Sequence, residues 1–235
     1  MGLPLAVTFD VGNTLIHPHP PVPEVVRGVL LDAGHQHDIG AIDALMPLVD
    51  EFYEDRYRAD DTFWTSEERT SDVWVGMYAL LCRELGIHED AEVLAREVYD
   101  RFGDWRRWRA WPDVIPCLER LRVAGVRCAV VSNWDIRLEG LLGGLGITAL
   151  LDTVVSSAVV GVHKPDPRIF EIACERLDVR PGDCAHVGDH YYSDYVGATA
   201  LGMRAVLIDR YGWMEQPQTV TPVTTLDGIE ALLER

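Results

Sequence analysis

The chain has 235 residues, 48% of them hydrophobic, so it can bury a sizeable core as one domain or as a domain carrying an insert. A formal charge of −17 and a pI near 4.7 exclude nucleic acid and an anionic membrane surface as expected partners. The five cysteines show no paired spacing, no stretch is long and apolar enough to span a bilayer, and the N-terminal run lacks the basic flank of a signal peptide; reduced thiols and a cytoplasmic location are expected.

The apolar run Ala6–Phe9 predicts a buried strand that ends on Asp10 and turns at once through Gly12, Asn13 and Thr14. Ligands of parallel sheets bind at the strands' carboxyl ends, which places Asp10 at the mouth of a site. The Pro-rich segment His17–Pro23 then reads as a hinge or linker. From there to about Ala110 no strand-like string appears. Apolar spacing predicts helices over Glu24–Ala33, Ile42–Tyr57, Ser71–Leu85 and Asp90–Arg107, a four-helix insert. Near its end Trp105 and Trp108 fall at helical spacing, which predicts packing inside the insert; Trp134, on a strand-end loop, is the better candidate for touching substrate. One of Arg106, Arg107 and Arg109 is a candidate for meeting the distal part of an anionic substrate.

Strand and helix then alternate. A helix is expected from Val114, a strand over Arg127–Ser132, a helix from Leu138, a strand over Thr153–Ser156 and a helix over Pro167–Leu177. A strand over Cys184–Val187, a helix over Tyr195–Leu201, a strand over Ala205–Ile208 and a closing helix over Leu226–Leu233 follow. The fold class is therefore α/β, a doubly wound parallel sheet with residues 1–16 and 111–235 as its core and 17–110 as a helical insertion.

Three more strings share the grammar of the first. Ala129-Val130-Val131 runs into Ser132-Asn133, and Ala185-His186-Val187 runs into Gly188-Asp189 with Asp194 five positions on. Between them stands Lys164, the only lysine beside twenty arginines, a compact point charge that a planar guanidinium replaces poorly. In this order the four strings resemble the signature motifs of the haloacid dehalogenase-like hydrolase superfamily over nearly the whole chain. Ser132-Asn133-Trp134-Asp135 and the stretch from Gly188 to Tyr195 are most similar to the branch named after the rhythmically expressed gene 2 product.

The resemblance implies a Rossmann-like core with a small helical cap closing over the site. It implies roles too: Asp10 as nucleophile, Ser132 as the hydroxyl that binds the transferring group, and Lys164 as the cation that orients it. Asp189 and Asp194, with Asp10 and the main-chain carbonyl of Gly12, would hold Mg²⁺, while Gly12, Asn13, Thr14, Asn133 and Trp134 form the expected substrate-binding loops. A carboxylate that attacks a dianionic phosphoryl group needs a metal and fixed donors to cancel repulsion, and all-oxygen ligands suit magnesium. The covalent aspartyl intermediate splits one hard displacement into two.

One departure stands against these agreements. The resemblance implies a second aspartate two residues after the nucleophile in phosphatases of the superfamily, which protonates the leaving group and then activates water; here that position is Gly12. The substrate's leaving group needs no acid, or a histidine among His17, His19 and His190 is borrowed, or the protein is a poor catalyst kept for binding or regulation. Each histidine reads more readily as a solvated loop residue. Metal-independent 2-haloacid dehalogenation is a further alternative, opposed by the retained Gly188-Asp189, and a cap Schiff-base chemistry is excluded by the absence of a second lysine. The expected activity is a magnesium-dependent hydrolase acting on phosphate monoesters or acyl phosphates of a small molecule. No heptad pattern or dimer motif indicates an oligomeric state.

Overall fold

The computed structural model describes residues 2–212 and 220–234. The chain runs β1 (Ala6–Phe9), β2 (Ile16–Pro18), α1 (Val22–Asp32), α2 (Ile39–Asp43), α3 (Met46–Ala59), α4 (Glu67–Glu84), α5 (Ala91–Arg101) and β3 (Trp108–Ala110). It continues through α6 (Val114–Val123), β4 (Arg127–Ser132), α7 (Leu138–Gly144), β5 (Thr153–Ser156), α8 (Ser157–Val160) and α9 (Pro167–Leu177). Then come β6 (Cys184–Gly188), α10 (Gly197–Ala200), β7 (Arg204–Leu207) and α11 (Glu230–Leu233).

Five strands pair in parallel in the order β5-β4-β1-β6-β7. Strands covered by helices on both faces need side chains that are apolar on both, and every residue of β1 is buried. Val7 and Phe9 pack with Val114, Leu118 and Leu138 on one face, whereas Ala6 packs with Val131, Ile169 and Phe170 on the other. Phe9 lies level with Val130 of β4 and Val187 of β6, so Asp10, Ser132 and Asp189 emerge at the same end of the sheet.

The insert buries a separate apolar cluster, in which Val25 and Val29 of α1 meet Val49 of α3, Leu81 of α4 and Val98 of α5. Its longest helix starts where the hydroxyl of Ser66 accepts from the Arg69 N–H and Glu67 and Glu68 occupy the first turn, both favourable to a helix N-terminus.

Several boundaries differ from the sequence pattern. The Pro-rich segment expected as a linker begins as a strand: His17 pairs with Arg109, so the two crossings between sheet and insert form an antiparallel ribbon. The helix expected over Ile42–Tyr57 is two helices, with Asp38 capping the first. The helix expected to reach Arg107 stops at Arg101; beyond it the Asp104 carboxylate accepts from the Arg106 N–H, a local bond that competes with helix continuation. Trp105 and Trp108 therefore do not share a helical face. Trp105 lies against Gly144 of α7, and Trp108 meets Trp134 at 5.2 Å between ring centroids. Before α10 the chain makes a π-type turn over Tyr191–Val196, and the closing helix is confined to Glu230–Leu233. Residues 213–219, part of the expected core, lie outside the described residues.

Candidate active site

Asp10 follows β1 and is 7% exposed. Its Oδ1 accepts from Ser132 Oγ at 2.9 Å and from Lys164 Nζ at 2.6 Å, so residues from three separate strings meet on one carboxylate oxygen. Lys164 also donates to Asp194 Oδ1 at 2.5 Å and is itself 2% exposed. Asn133 holds the lysine's backbone: its amide donates to the Lys164 carbonyl at 2.9 Å, and its Oδ1 accepts from the Lys164 N–H at 2.7 Å. This reciprocal pair fixes where the ammonium stem begins.

Asp194 reaches the centre because Gly188 has no side chain; a Cβ there would overlap the Asp194 carboxyl. One residue of this network carries no role expected from the motifs. His186, fully buried in β6, lies 3.0 Å from Asp194 Oδ1 through Nε2 and 2.8 Å from Thr8 Oγ1 through Nδ1. Burial holds its pKa below the usual histidine value, so the ring is neutral. A carboxylate only accepts, so Nε2 carries the proton and donates to Asp194, and Nδ1 accepts from the Thr8 hydroxyl. A histidine inside an otherwise apolar strand, three residues before Asp189, was the available signal.

Carboxylate oxygens of Asp10, Asp189 and Asp194 lie within 4.8 Å of one another. Burial and the neighbouring Asp10 and Asp194 charges push the Asp189 carboxyl well above the usual carboxylate range. Burial acts against ionisation of Asp194 as well, yet Lys164 and His186 hold it well below its ordinary value. Burial would lower Lys164, and the Asp10 and Asp194 carboxylates more than reverse this. Three carboxylates against one ammonium leave a local excess of negative charge at oxygen donors, and this composition fits a hard divalent cation.

Gly12 and Asn13 line the cavity above these groups, together with Asn133 and Trp134. Asn13 adopts a left-handed backbone with φ 52°, and its side chain acts to lower the Asp189 pKa, against the larger effect of burial. The Gly12 carbonyl accepts from the Thr14 N–H at 2.6 Å, which leaves a second lone pair. Thr14 stands apart: it is fully buried, is not on the cavity wall, and its carbonyl accepts from Arg210 Nη2 at 2.8 Å. Among the three histidines considered as substitutes for the missing acid, only His190 lines the cavity; the His17 ring packs on Trp111. None of Arg106, Arg107 and Arg109 is on the wall, and Arg106 pairs with Asp104.

A family model described as haloacid dehalogenase-like hydrolase matches residues 4–202. The chain belongs to this hydrolase family. It is 30% identical to haloacid dehalogenase-like hydrolase domain-containing protein 3 of Danio rerio over 97% of this chain and 95% of that one. It is 31% identical to a glyceraldehyde 3-phosphate phosphatase of Methanopyrus kandleri over 87% of this chain and 84% of that one. Over 43% of the chain and 44% of the relative, it is 38% identical to (S)-2-haloacid dehalogenase 1 of a Pseudomonas species. Among solved structures, a phosphatase of the superfamily from Thermococcus onnurineus superposes with a TM-score of 0.67 at 26% identity, covering 99% of this chain and 98% of that one.

In this hydrolase the carboxylate cluster opens into a cavity of about 480 Å³ between the sheet end and the insert. Its wall is aromatic. Ring contacts run without a break from Trp134 to Trp108, Phe102, Tyr78, Trp74 and Tyr53, and on through Tyr57 to His190, with centroid separations between 5.2 and 6.5 Å. Arg137 also lines this space, but three of its hydrogen bonds go to Asp135, and its guanidinium lies 3.7 Å from the centre of the Tyr99 ring. These aromatic positions on α3, α4 and α5 carry no motif in sequence; their spacing is that of ordinary core residues.

Proposed function

We propose that the chain is a magnesium-dependent phosphohydrolase of a small phosphorylated molecule, working through an aspartyl phosphate on Asp10. The observation that carries this reading is the Asp10 carboxylate held by Ser132 and Lys164 beside two further aspartates. In this reading Ser132 and Lys164 donate to oxygens of the phosphoryl group as Asp10 attacks phosphorus, and Asn133 keeps the lysine in place. Lys164 bridges Asp10 and Asp194, so it limits the repulsion between them before substrate arrives. Asp10, Asp189, Asp194 and the Gly12 carbonyl would hold Mg²⁺, which supplies charge neutralisation at the phosphoryl group when bound. The phosphatase-named relatives support the same reaction class. The five free, buried cysteines support a cytoplasmic setting.

The test is phosphate release from small phosphate esters and acyl phosphates with Mg²⁺ and with EDTA, in the wild type and Asp10→Asn. Turnover that needs Mg²⁺ and disappears in Asp10→Asn, with an unchanged circular dichroism spectrum, is the expected result; activity retained by Asp10→Asn refutes the nucleophile. The apolar cavity and the partial match to a haloacid dehalogenase favour carbon–halogen hydrolysis as a second reading. The extra carboxylates at 189 and 194 oppose it, and halide release from a 2-haloacid in EDTA decides between the two.

A further inference from the structure

The phosphohydrolase reading leaves the leaving group unnamed, and the cavity wall supplies chemistry for naming it. Beyond the carboxylate cluster the wall has no free cation among the described residues. Lys164 is consumed by Asp10 and Asp194, and Arg137 by Asp135, while Asp50 adds negative charge. An anionic tail, such as a second phosphate or a carboxylate, would meet no free cation there among the described residues.

A sugar fares no better. The wall offers four phenol groups, Tyr53, Tyr57, Tyr78 and Tyr99; the Tyr57 hydroxyl is already engaged with Ser193 at 3.0 Å, and that of Tyr99 donates to Glu67 at 2.9 Å and Asp135 at 3.2 Å. Hydroxyls buried without partners are costly, whereas flat apolar surface is favourable against rings that can stack or meet it edge-on. The position nearest the chemistry points the same way. The ring of Trp134 stands 3.4 Å from where a Cβ on Gly12 would be. An aromatic ring thus stands in van der Waals contact with the point from which an acid at position 12 would extend.

We infer that the substrate is an aryl phosphate, a phosphoryl group carried on an aromatic hydroxyl, with the arene seated in the aromatic cavity. This rests on the phosphohydrolase reading and narrows it. The two features explain each other for the first step: a phenolate is stable enough to depart without a proton, so that step needs no acid, while hydrolysis of the aspartyl phosphate proceeds by water without help from position 12. Asp10 Oδ forms a bond to phosphorus as the P–O(aryl) bond breaks, and the aryloxide leaves with the electron pair and takes its proton from water. A water molecule then attacks phosphorus, the P–O(Asp10) bond breaks, Asp10 regains its carboxylate, and both protons of that water end on phosphate.

The experiment compares 1-naphthyl phosphate, acetyl phosphate and glyceraldehyde 3-phosphate with the wild-type protein and Mg²⁺, alongside quenching of tryptophan fluorescence by 1-naphthol. We expect 1-naphthyl phosphate to exceed glyceraldehyde 3-phosphate in kcat/KM by about a hundredfold, with 1-naphthol binding and inhibiting competitively. Trp74→Ala should lower the ratio of 1-naphthyl to acetyl phosphate turnover by about tenfold. Should that variant fail to fold, the wild-type quenching titration carries the same question. Acetyl phosphate or glyceraldehyde 3-phosphate turned over as well as the naphthyl ester overturns the inference and leaves the phosphohydrolase standing. Release from none of the three, acetyl phosphate included, overturns the phosphohydrolase reading itself, and an absence of quenching by 1-naphthol overturns the aromatic occupant.

Discussion

Restoring an aspartate at position 12 separates a site that lacks an acid from one that borrows it. Gly12 does not need a left-handed backbone, and a Cβ there meets only Trp134 Cζ3, at an ordinary contact distance of 3.4 Å. The backbone thus accepts Gly12→Asp, but the carboxyl must compete with the Trp134 ring for space, so the test pairs the single variant with Gly12→Asp/Trp134→Ser. A positioned general acid is worth roughly 10²–10⁴-fold, about 3–5 kcal/mol of barrier. That gain falls on alkyl leaving groups, which must be protonated, and is nearly absent for aryl leaving groups. The assay is kcat/KM across phosphate monoesters of graded leaving-group acidity. A steep dependence in the wild type should flatten in the double variant, through faster turnover of the poor leaving groups. A flat dependence in the wild type refutes the reasoning, because it shows that an acid already acts; loss of that flatness in His190→Gln would then identify it.

Lys164→Met should abolish turnover and also destabilise the metal-free protein by about 3–5 kcal/mol in urea unfolding, because it leaves buried carboxylates facing one another uncompensated. Mg²⁺ should raise the Tm of the wild type in proportion to the logarithm of its concentration, and Asp189→Asn should remove most of that shift. The metal-free protein should lose stability as pH rises above the ordinary carboxylate value of 3.8: folded Asp189, its pKa raised by burial, Asp10 and Asp194, holds a proton that the unfolded chain releases. Asp113 has the opposite sign. Burial alone would raise it, but bonds from Arg210, Thr225 and the Leu226 N–H lower it, so its contribution is complete above pH 3.8 and lost as pH falls below that value. Arg210→Ala should weaken this acid-sensitive component in thermal unfolding measured across pH.

The sheet was legible because β-branched residues followed by polar turns have few alternative structures. Val130 and Val131 before Ser132, and Val154 and Val155 before Ser156, are strands in the structure at the predicted bounds. The ribbon was not legible, because Ile16-His17-Pro18 contains a proline and one strongly apolar residue. Its strand character comes from a partner far along the chain: His19 N–H donates to the Arg107 carbonyl and Trp111 N–H to that of Leu15, satisfying backbone groups where the chain crosses between sheet and insert. Propensity carries no trace of such a pairing.

At the site, the residues on strand-end strings were visible and those on helices were not. Asp10, Ser132, Asn133, Lys164 and Asp194 belong to short strings whose polar residues are out of place in a core, and the structure brings them within hydrogen-bond reach. Tyr53, Trp74 and Tyr78 have the spacing of buried helical residues, and only the cavity distinguishes facing a substrate from facing a neighbouring helix. Gly12 and Trp134 show how the two kinds of information combine. Read alone, Gly12 is a missing acid and Trp134 an aromatic on a loop; with Trp134 Cζ3 3.4 Å from where a Gly12 Cβ would be, the aryl phosphate proposal makes them one feature, an indole ring beside the leaving group. Acidity of the leaving group and apolarity of its body then become linked requirements, since the surface that excludes a proton donor is the same surface that favours an arene.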